Sequence, residues 1–182
     1  LIADTALRFG FEGPILCGHA CNLMNLAQDA FKRLADKLAQ ANIYICALPN
    51  TNLYLQSRGQ GTPDRRGITR LSELYAADVP ILLGSDNVGD AFCPTGQHDP
   101  LAALHLGVLA AHLDPPFDQW MPAISTTARQ AMGLAGQTVA QARASDLAVW
   151  PTSSLADLIA GRGGQATAVQ DWIKSTNLHM TP

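Results

Sequence analysis

An α/β fold built on parallel strands is what this sequence predicts, and three observations point to it. Apolar runs rich in Ile, Leu and Val, without polar alternation, occur at 14–19 (PILCGH), 43–49 (IYICALP) and 79–84 (VPILLG). Such runs suit strands buried on both faces, and those belong to sheets flanked by helices. Amphipathic segments separate the runs, so that strand, loop and helix repeat three times. Polar residues collect immediately after each run.

Taken in order, TALRFGFEG reads as the tail of a helix from a preceding unit, and Gly13-Pro14 bounds the first strand. Between Leu26 and Ala41, Leu26, Ala30, Leu34 and Leu38 recur four apart, with Asp29, Lys32, Arg33, Asp36 and Lys37 elsewhere. That spacing predicts a helix with one buried stripe. Pro49 stops the second strand, and a long polar loop follows. Ile68, Leu71 and Leu74 mark the next helix, closed by Asp78 before the third strand. Asp99 as N-cap and Pro100 at the first helical position start a further helix running to about Leu113. STTARQAMGLAG reads as a short helix ended by Gly133, and QTVAQARASDLAVWPT as a short strand pair. From Ser153 onward the tail is Gly- and Ala-rich with weak periodicity.

The 182 residues, 47% hydrophobic and 15% charged, suffice for a domain of ordinary size with a sizeable core. A net charge of -3 gives no electrostatic footprint for nucleic acid or an anionic membrane. The longest apolar runs fall well short of the roughly 18 residues a membrane span needs. The N-terminus lacks a signal-peptide layout. Cys17, Cys21, Cys46 and Cys93 have apolar neighbourhoods and are read as reduced, in a cytoplasmic setting. The chain begins at Leu1 rather than Met, so it is processed or something upstream is absent.

In parallel α/β folds, function gathers at the C-terminal ends of the strands. Here the first run ends in GHACN, the second in LPNTNLYLQ and the third in GSDN. Those tips bring imidazole, amides and carboxylate to one end of the sheet, while Gly13, Asn42 and Pro80 at the other end carry nothing comparable. A carboxylate such as Asp86, at the end of a buried strand, is costly unless something pairs with it. The plainer readings are that His19 is a core histidine bonded to a backbone carbonyl and that Asp86 caps the next loop.

Cys17, His19 and Cys21 alternate, so an extended strand would place all three on one face. A zinc site could draw on them, but no second Cys pair completes a tetrahedron, and small thiols packed in a core are the plainer reading. His98, His105 and His112 recur every seven residues, about 10.5 Å along a helix, too far apart for one ion. His105 and His112 are therefore read as helix-face residues packed against neighbours. Arg65, Arg66 and Arg70 read as a solvated loop and helix start, with pairing to a substrate carboxylate as the other possibility.

GHACNL, LPNTNLYLQSR, TPDRRGITRLSEL and GSDNVGDAFCPTGQHDPL stand in order and at spacings that resemble the cytosine deaminase branch of the amidohydrolase superfamily. The resemblance covers about residues 1–150. It implies the C-terminal portion, about strands six to eight, of a metal-dependent-hydrolase TIM (β/α)8 barrel over 1–133. The remainder of a small β-sandwich and a C-terminal tail would occupy 134–182. Where the family usually has Gly-x-x-Ala-Asp at the return to the sandwich, Ala142 and Ser145 depart from the pattern.

By resemblance, Asp86 falls on the strand-eight aspartate that ligates one divalent metal ion, zinc or iron, and helps move the proton of the attacking water. A cation there compensates the buried carboxylate, and a water on it reaches a pKa near 7. His19 falls on the strand-six histidine, which hydrogen-bonds the hydroxide and does not bind the metal. Asn87, where the best-known cytosine deaminases are acidic, and Phe92, where Trp is familiar, fall on substrate-binding positions. A neutral amide donates as well as accepts, which changes the pattern read on the ring.

The implied reaction is hydrolytic deamination of an N-heterocycle: cytosine, isocytosine, creatinine, a pterin or an N-alkylamino triazine. The expected partner is this small heterocycle, with neither nucleic acid nor membrane, and a homo-oligomer is compatible with the family. No His-x-His pair, strand-five histidine or nearby glutamate occurs among the 182 residues, and a full barrel takes about 250. The simplest expectation is a fragment lacking its N-terminal portion, inactive by itself. The alternative is a truncated, non-catalytic α/β scaffold or small-molecule binder.

Overall fold

The computed structural model describes residues 1–59, 61–62 and 67–177. Two units make up the chain, Leu1–Leu134 and Ala135–Pro182. In the first, helix α1 (Ile2–Phe9) ends at Gly10, whose φ of 58° lets its N–H turn back onto α1 carbonyls. Strand β1 (Ile15–Gly18) follows, then a 3-10 turn at Cys21–Asn25 and helix α2 (Gln28–Gln40). After β2 (Ile43–Ala47) come α3 (Pro49–Leu55), α4 (Leu71–Ala76), β3 (Ile81–Leu83) and α5 (Pro100–Ala111). A 3-10 segment at Phe117–Ile124 and α6 (Thr126–Ala131) complete the unit.

The three strands are parallel in the order β1-β2-β3, with Cys17, Ile45 and Ile81 in one row and Gly18, Cys46 and Leu82 in the next. Paired residues point the same way and alternate along a strand. One face therefore carries Leu16, Tyr44, Cys46 and Leu82, and the other Ile15, Ile43, Ile45, Ala47, Ile81 and Leu83. Tyr44 and Leu82 pack with Ala131, flanked by Cys46 and Ala128.

Burial on both faces holds for β2 and β3 but not for β1, which alternates between half-buried and exposed, with Leu16 48% exposed. The difference lies in what covers the faces: α4, α5, α6 and the 3-10 segment Phe117–Ile124 pack against β3, whereas β1 packs chiefly against β2. The buried line of α2 is Phe31, Ala35 and Leu38, one step from the expected Leu26, Ala30, Leu34 and Leu38. A strict four-residue spacing drifts by about 40° per step around a 3.6-residue helix, whereas four followed by three stays on one face. Pro49 does not simply stop a strand. It opens α3 in the first helical turn, where its missing N–H costs nothing.

Asp99 caps α5 as expected, accepting the Leu101 N–H at 2.9 Å, and the helix ends at Ala111 with His112 in the left-handed region. The exposed His112 is thus a terminating residue and not a packed helix-face residue. In α6 the expected helix is present, and Gly133 takes a φ of 68° just beyond it.

In the second unit the expected strand pair at 137–152 gives way to 3-10 turns at Val139–Gln141 and Ala144–Asp146. A reciprocal Thr138–Gln141 capping box holds the first, and an Arg143–Asp146 ion pair at 3.0 Å spans the second. Only Ala148–Val149 (β4) is extended, and it pairs antiparallel with β5 (Thr167–Ala168). The weakly periodic tail contributes α7 (Leu155–Ile159) and α8 (Val169–Asn177). Among the described residues no helix is long and apolar enough to cross a membrane. All four cysteines are free.

Candidate functional site

The site is built where β1 and β3 end. Beyond Gly18 the chain turns through two left-handed residues, His19 (φ 61°) and Ala20 (φ 52°). Beyond β3 it does the same at Asp86 (φ 65°). A non-glycine residue in this region costs on the order of 1–3 kcal/mol and persists only where its surroundings hold it. The turn at His19 also breaks strand alternation, so Cys17, His19 and Cys21 do not share a strand face. The Cys21 thiol instead donates to the Gly67 carbonyl at 3.2 Å.

These turns bring His19 Nε2 to 3.6 Å from Asp86 Oδ2, both side chains partly exposed. That is longer than a direct hydrogen bond and short enough for the two to share one small group. On its other side the ring is bonded: His19 Nδ1 lies 2.8 Å from Asn52 Oδ1. Thr51, next to Asn52, donates its hydroxyl to the Ser85 carbonyl at 3.3 Å and accepts the Asn87 N–H at 3.0 Å. Thr51 and Asn52 are each 2% exposed. Neither was marked by the sequence, because uncharged residues after Pro49 read as loop. The signal was there in the placement of Pro49 as a helix-opening residue.

The Asn87 side-chain amide donates to Asp90 Oδ2 at 2.7 Å. Asp90 Oδ1 accepts the backbone N–H groups of Phe92 and Cys93, each at 2.9 Å. Asp90 is the organiser of this loop, and these donors, the Asn87 amide foremost, hold its carboxyl below the ordinary value. Phe92 is anchored through its backbone and is 59% exposed. Cys46 lies close enough to Asp86 to feel its charge. Burial, with Asp86 adding to it, pushes the thiol up to about 11, so Cys46 remains protonated near neutrality.

Arg65 and Arg66 lie outside the described residues. Arg70 is not a solvated loop residue. It stacks over Phe31 at 4.8 Å and donates to the carbonyls of Met24 and Leu26, tying α4 to the entrance of α2. A cleft of about 500 Å³ opens beside the pair, lined by His19, Cys21, Asn22, Thr51, Asn52 and Gln56. A larger cavity of about 580 Å³ sits at the opposite strand ends, around Asn42, Asp78 and Tyr75, away from His19 and Asp86.

A carboxylate oxygen beside an imidazole suits a borderline divalent cation such as zinc or iron. Asp86 fits as one ligand of such an ion. Among the described residues no group of three or more His, Cys, Asp or Glu side chains converges to hold a metal.

No family model matches the chain. Several solved proteins and a curated one are similar to it. The chain superposes on the 5-methylcytosine deaminase of Klebsiella pneumoniae liganded with phosphonocytosine with a TM-score of 0.79 and 20% identity, covering 92% of this chain and 42% of that one. On the N-isopropylammelide isopropylaminohydrolase of Burkholderia multivorans the TM-score is 0.70 at 18% identity, covering 92% and 41%. The fold is therefore that of part of these hydrolases. A pterin deaminase from Rhizobium rhizogenes is 40% identical over 133 residues, covering 72% of this chain and 30% of the relative. The chain is thus similar to part of these deaminases, and it spans less than a third of that curated relative.

Proposed function

We propose that this chain supplies one side of the active site of a hydrolase that removes an exocyclic amine from an N-heterocycle. In this reading β1, β2 and β3 are the sixth, seventh and eighth strands of a (β/α)8 barrel. The observation that carries it is the approach of His19 to Asp86 at 3.6 Å across the tip of β2. Asp86 would hold a divalent cation, zinc or iron. When bound, the cation acts as a Lewis acid and brings the pKa of a water down to about 7.

Asp86 then accepts the proton leaving that water and delivers it to the departing nitrogen. His19, bonded to the same water oxygen, orients the attack and stabilises the charge that develops on it. A C–O bond forms at the ring carbon and the C–N bond to the amine breaks. One water proton ends on the amine, which leaves as ammonia, and the other stays with the product as a hydroxyl or ring N–H. Phe92 offers an aromatic face to the ring, and Asn87 with Asp90 shapes the loop beside it.

A pterin is the first candidate substrate, because the relative at 40% identity is a pterin deaminase. Cytosine, 5-methylcytosine, isocytosine, creatinine and N-alkylamino triazines complete the panel. The test is release of ammonia, or of the alkylamine from the triazines, by the protein expressed from its complete reading frame and loaded with zinc or iron. Turnover of a pterin is expected. Release of neither from any member of the panel would overturn the reading.

A further inference from the structure

We infer, on the role just proposed for His19, that Arg70 is a positioning residue that sets the direction of the imidazole through the turn following it. That turn is a weak element by itself. Beyond His19 and Ala20, both left-handed, Cys21–Asn25 form a 3-10 segment whose residues are all at least partly exposed. Its ends are closed by backbone bonds from the Leu23 N–H to the Ala20 carbonyl at 3.1 Å and from the Leu26 N–H to the Leu23 carbonyl at 3.3 Å. Hydrogen bonds of 3-10 type are poorly aligned, and left-handed residues persist only where their surroundings hold them.

One segment, Gly67–Arg70, supplies that hold at both ends of the turn. At the start, the Gly67 carbonyl accepts the Cys21 thiol at 3.2 Å. At the end, Arg70 Nη2 donates to the carbonyls of Met24 at 3.1 Å and Leu26 at 2.6 Å, while Nη1 donates to Gln28 Oε1 at 3.1 Å. The guanidinium lies over the ring of Phe31 at 4.8 Å, and Phe31 is buried in α2. A buried ring therefore fixes the plane of the fork, and the fork fixes the last carbonyls of the turn. Gly67 is buried too, and a Cβ on it would meet the side chain of Gln56, so the segment also lies against the residue that ends α3.

His19 meets Asp86 from the β1 side at 3.6 Å, and the backbone that aims it is the left-handed pair closed by the Ala20 N–H on the Gly18 carbonyl at 2.8 Å. A turn released from Met24 and Leu26 frees that pair to relax and the imidazole to leave Asp86. Among the described residues Arg70 is not one that lines the cleft, so its effect on His19 passes through the turn. Lysine cannot replace it, because a single ammonium does not span two carbonyls and lie flat on a ring at once.

The test uses the full-length protein and two variants. Arg70→Met keeps an apolar stem on Phe31 and removes every donor, and Arg70→Lys keeps the charge without the fork. Amide hydrogen exchange, followed by mass spectrometry in peptides spanning 19–26, is expected to quicken by about tenfold or more in Arg70→Met and by less in Arg70→Lys, with peptides of β2 unchanged. In kinetics, Arg70→Met is expected to lower kcat by about 10- to 100-fold with bound metal unchanged. In a His19→Ala background the same substitution should lower kcat by less than about twofold more, because no ring is left to aim.

Unchanged exchange over 19–26 in Arg70→Met, or a loss of kcat as large without His19 as with it, would overturn the inference. If Arg70→Met fails to fold, Arg70→Lys carries the same exchange measurement and the same cycle. Because exchange needs no turnover, it separates this inference from the proposed reaction. An active deaminase whose turn is indifferent to Arg70 sinks the first and spares the second, and an inactive protein whose turn loosens without Arg70 does the reverse.

Discussion

Replacing Gly107 by alanine tests how tightly α5 holds β3, the strand that leads to Asp86. Gly107 is buried in the middle of α5 and faces β3. A Cβ placed there would lie 2.8 and 3.0 Å from the two methyl groups of Leu83. Ordinary carbon contacts are about 3.5–4.0 Å, so Leu83 must yield by roughly 0.5–1 Å. Leu83 is 5% exposed and has little room to do so.

Overpacking of this kind costs about 1–3 kcal/mol, while alanine regains about 0.8–1 kcal/mol of helix propensity over glycine. The net expectation is a destabilisation of about 1 kcal/mol, read by urea unfolding of the full-length protein. In a Leu83→Ala background the clash is gone and only the propensity term remains, so Gly107→Ala should there stabilise by about 1 kcal/mol. This sign reversal is the diagnostic result. If Gly107→Ala stabilised both backgrounds equally, α5 would not be seated on Leu83 as described.

Cys46 should alkylate slowly. With its thiol pushed up to about 11, on the order of one molecule in a thousand is thiolate at pH 8, and Asp86→Asn should raise the rate measured by iodoacetamide labelling and mass spectrometry. An unchanged rate would remove Asp86 as a cause. Asp90 should make the loop order pH-dependent. Its carboxyl is held below the ordinary 3.8, so its contribution is complete above that value and is lost as pH falls through the lowered one. The Phe92 and Cys93 amide resonances should shift together over that acidic range, and in Asp90→Asn the dependence should vanish.

How much of this was legible in the sequence differs from element to element. Strands β2 and β3 announced themselves because Ile43, Ile45, Ile81 and Leu82 are buried on both faces and leave no polar position in the run. Strand β1 has the same composition, yet it lies outside the helices that cover β3, which leaves Leu16 exposed, and nothing in a short apolar run reports what packs on it. Helix α3 was hidden because proline both ends strands and opens helices, and the apolar content of NTNLYL is too sparse to show a period. In the second unit, QTVAQARAS alternates well enough to read as strand, but the Thr138–Gln141 capping box and the Arg143–Asp146 ion pair favour tight turns. His19 and Asp86 stood out because titratable groups at the ends of apolar runs are costly without a purpose. Thr51 and Asn52 did not, because a neutral side chain reveals its partner only once the fold brings the two together.

The central claim is that Asp86 moves the proton of the attacking water, and the most direct measurement is kcat of Asp86→Asn on the substrate the wild type turns over best. Asparagine keeps the size of the side chain and cannot accept that proton. Loss of general-base catalysis alone predicts a fall of about 10²–10⁴-fold, and of more if the metal is lost as well. The account predicts such a fall with circular dichroism unchanged. A folded Asp86→Asn protein within about tenfold of wild-type kcat would contradict it.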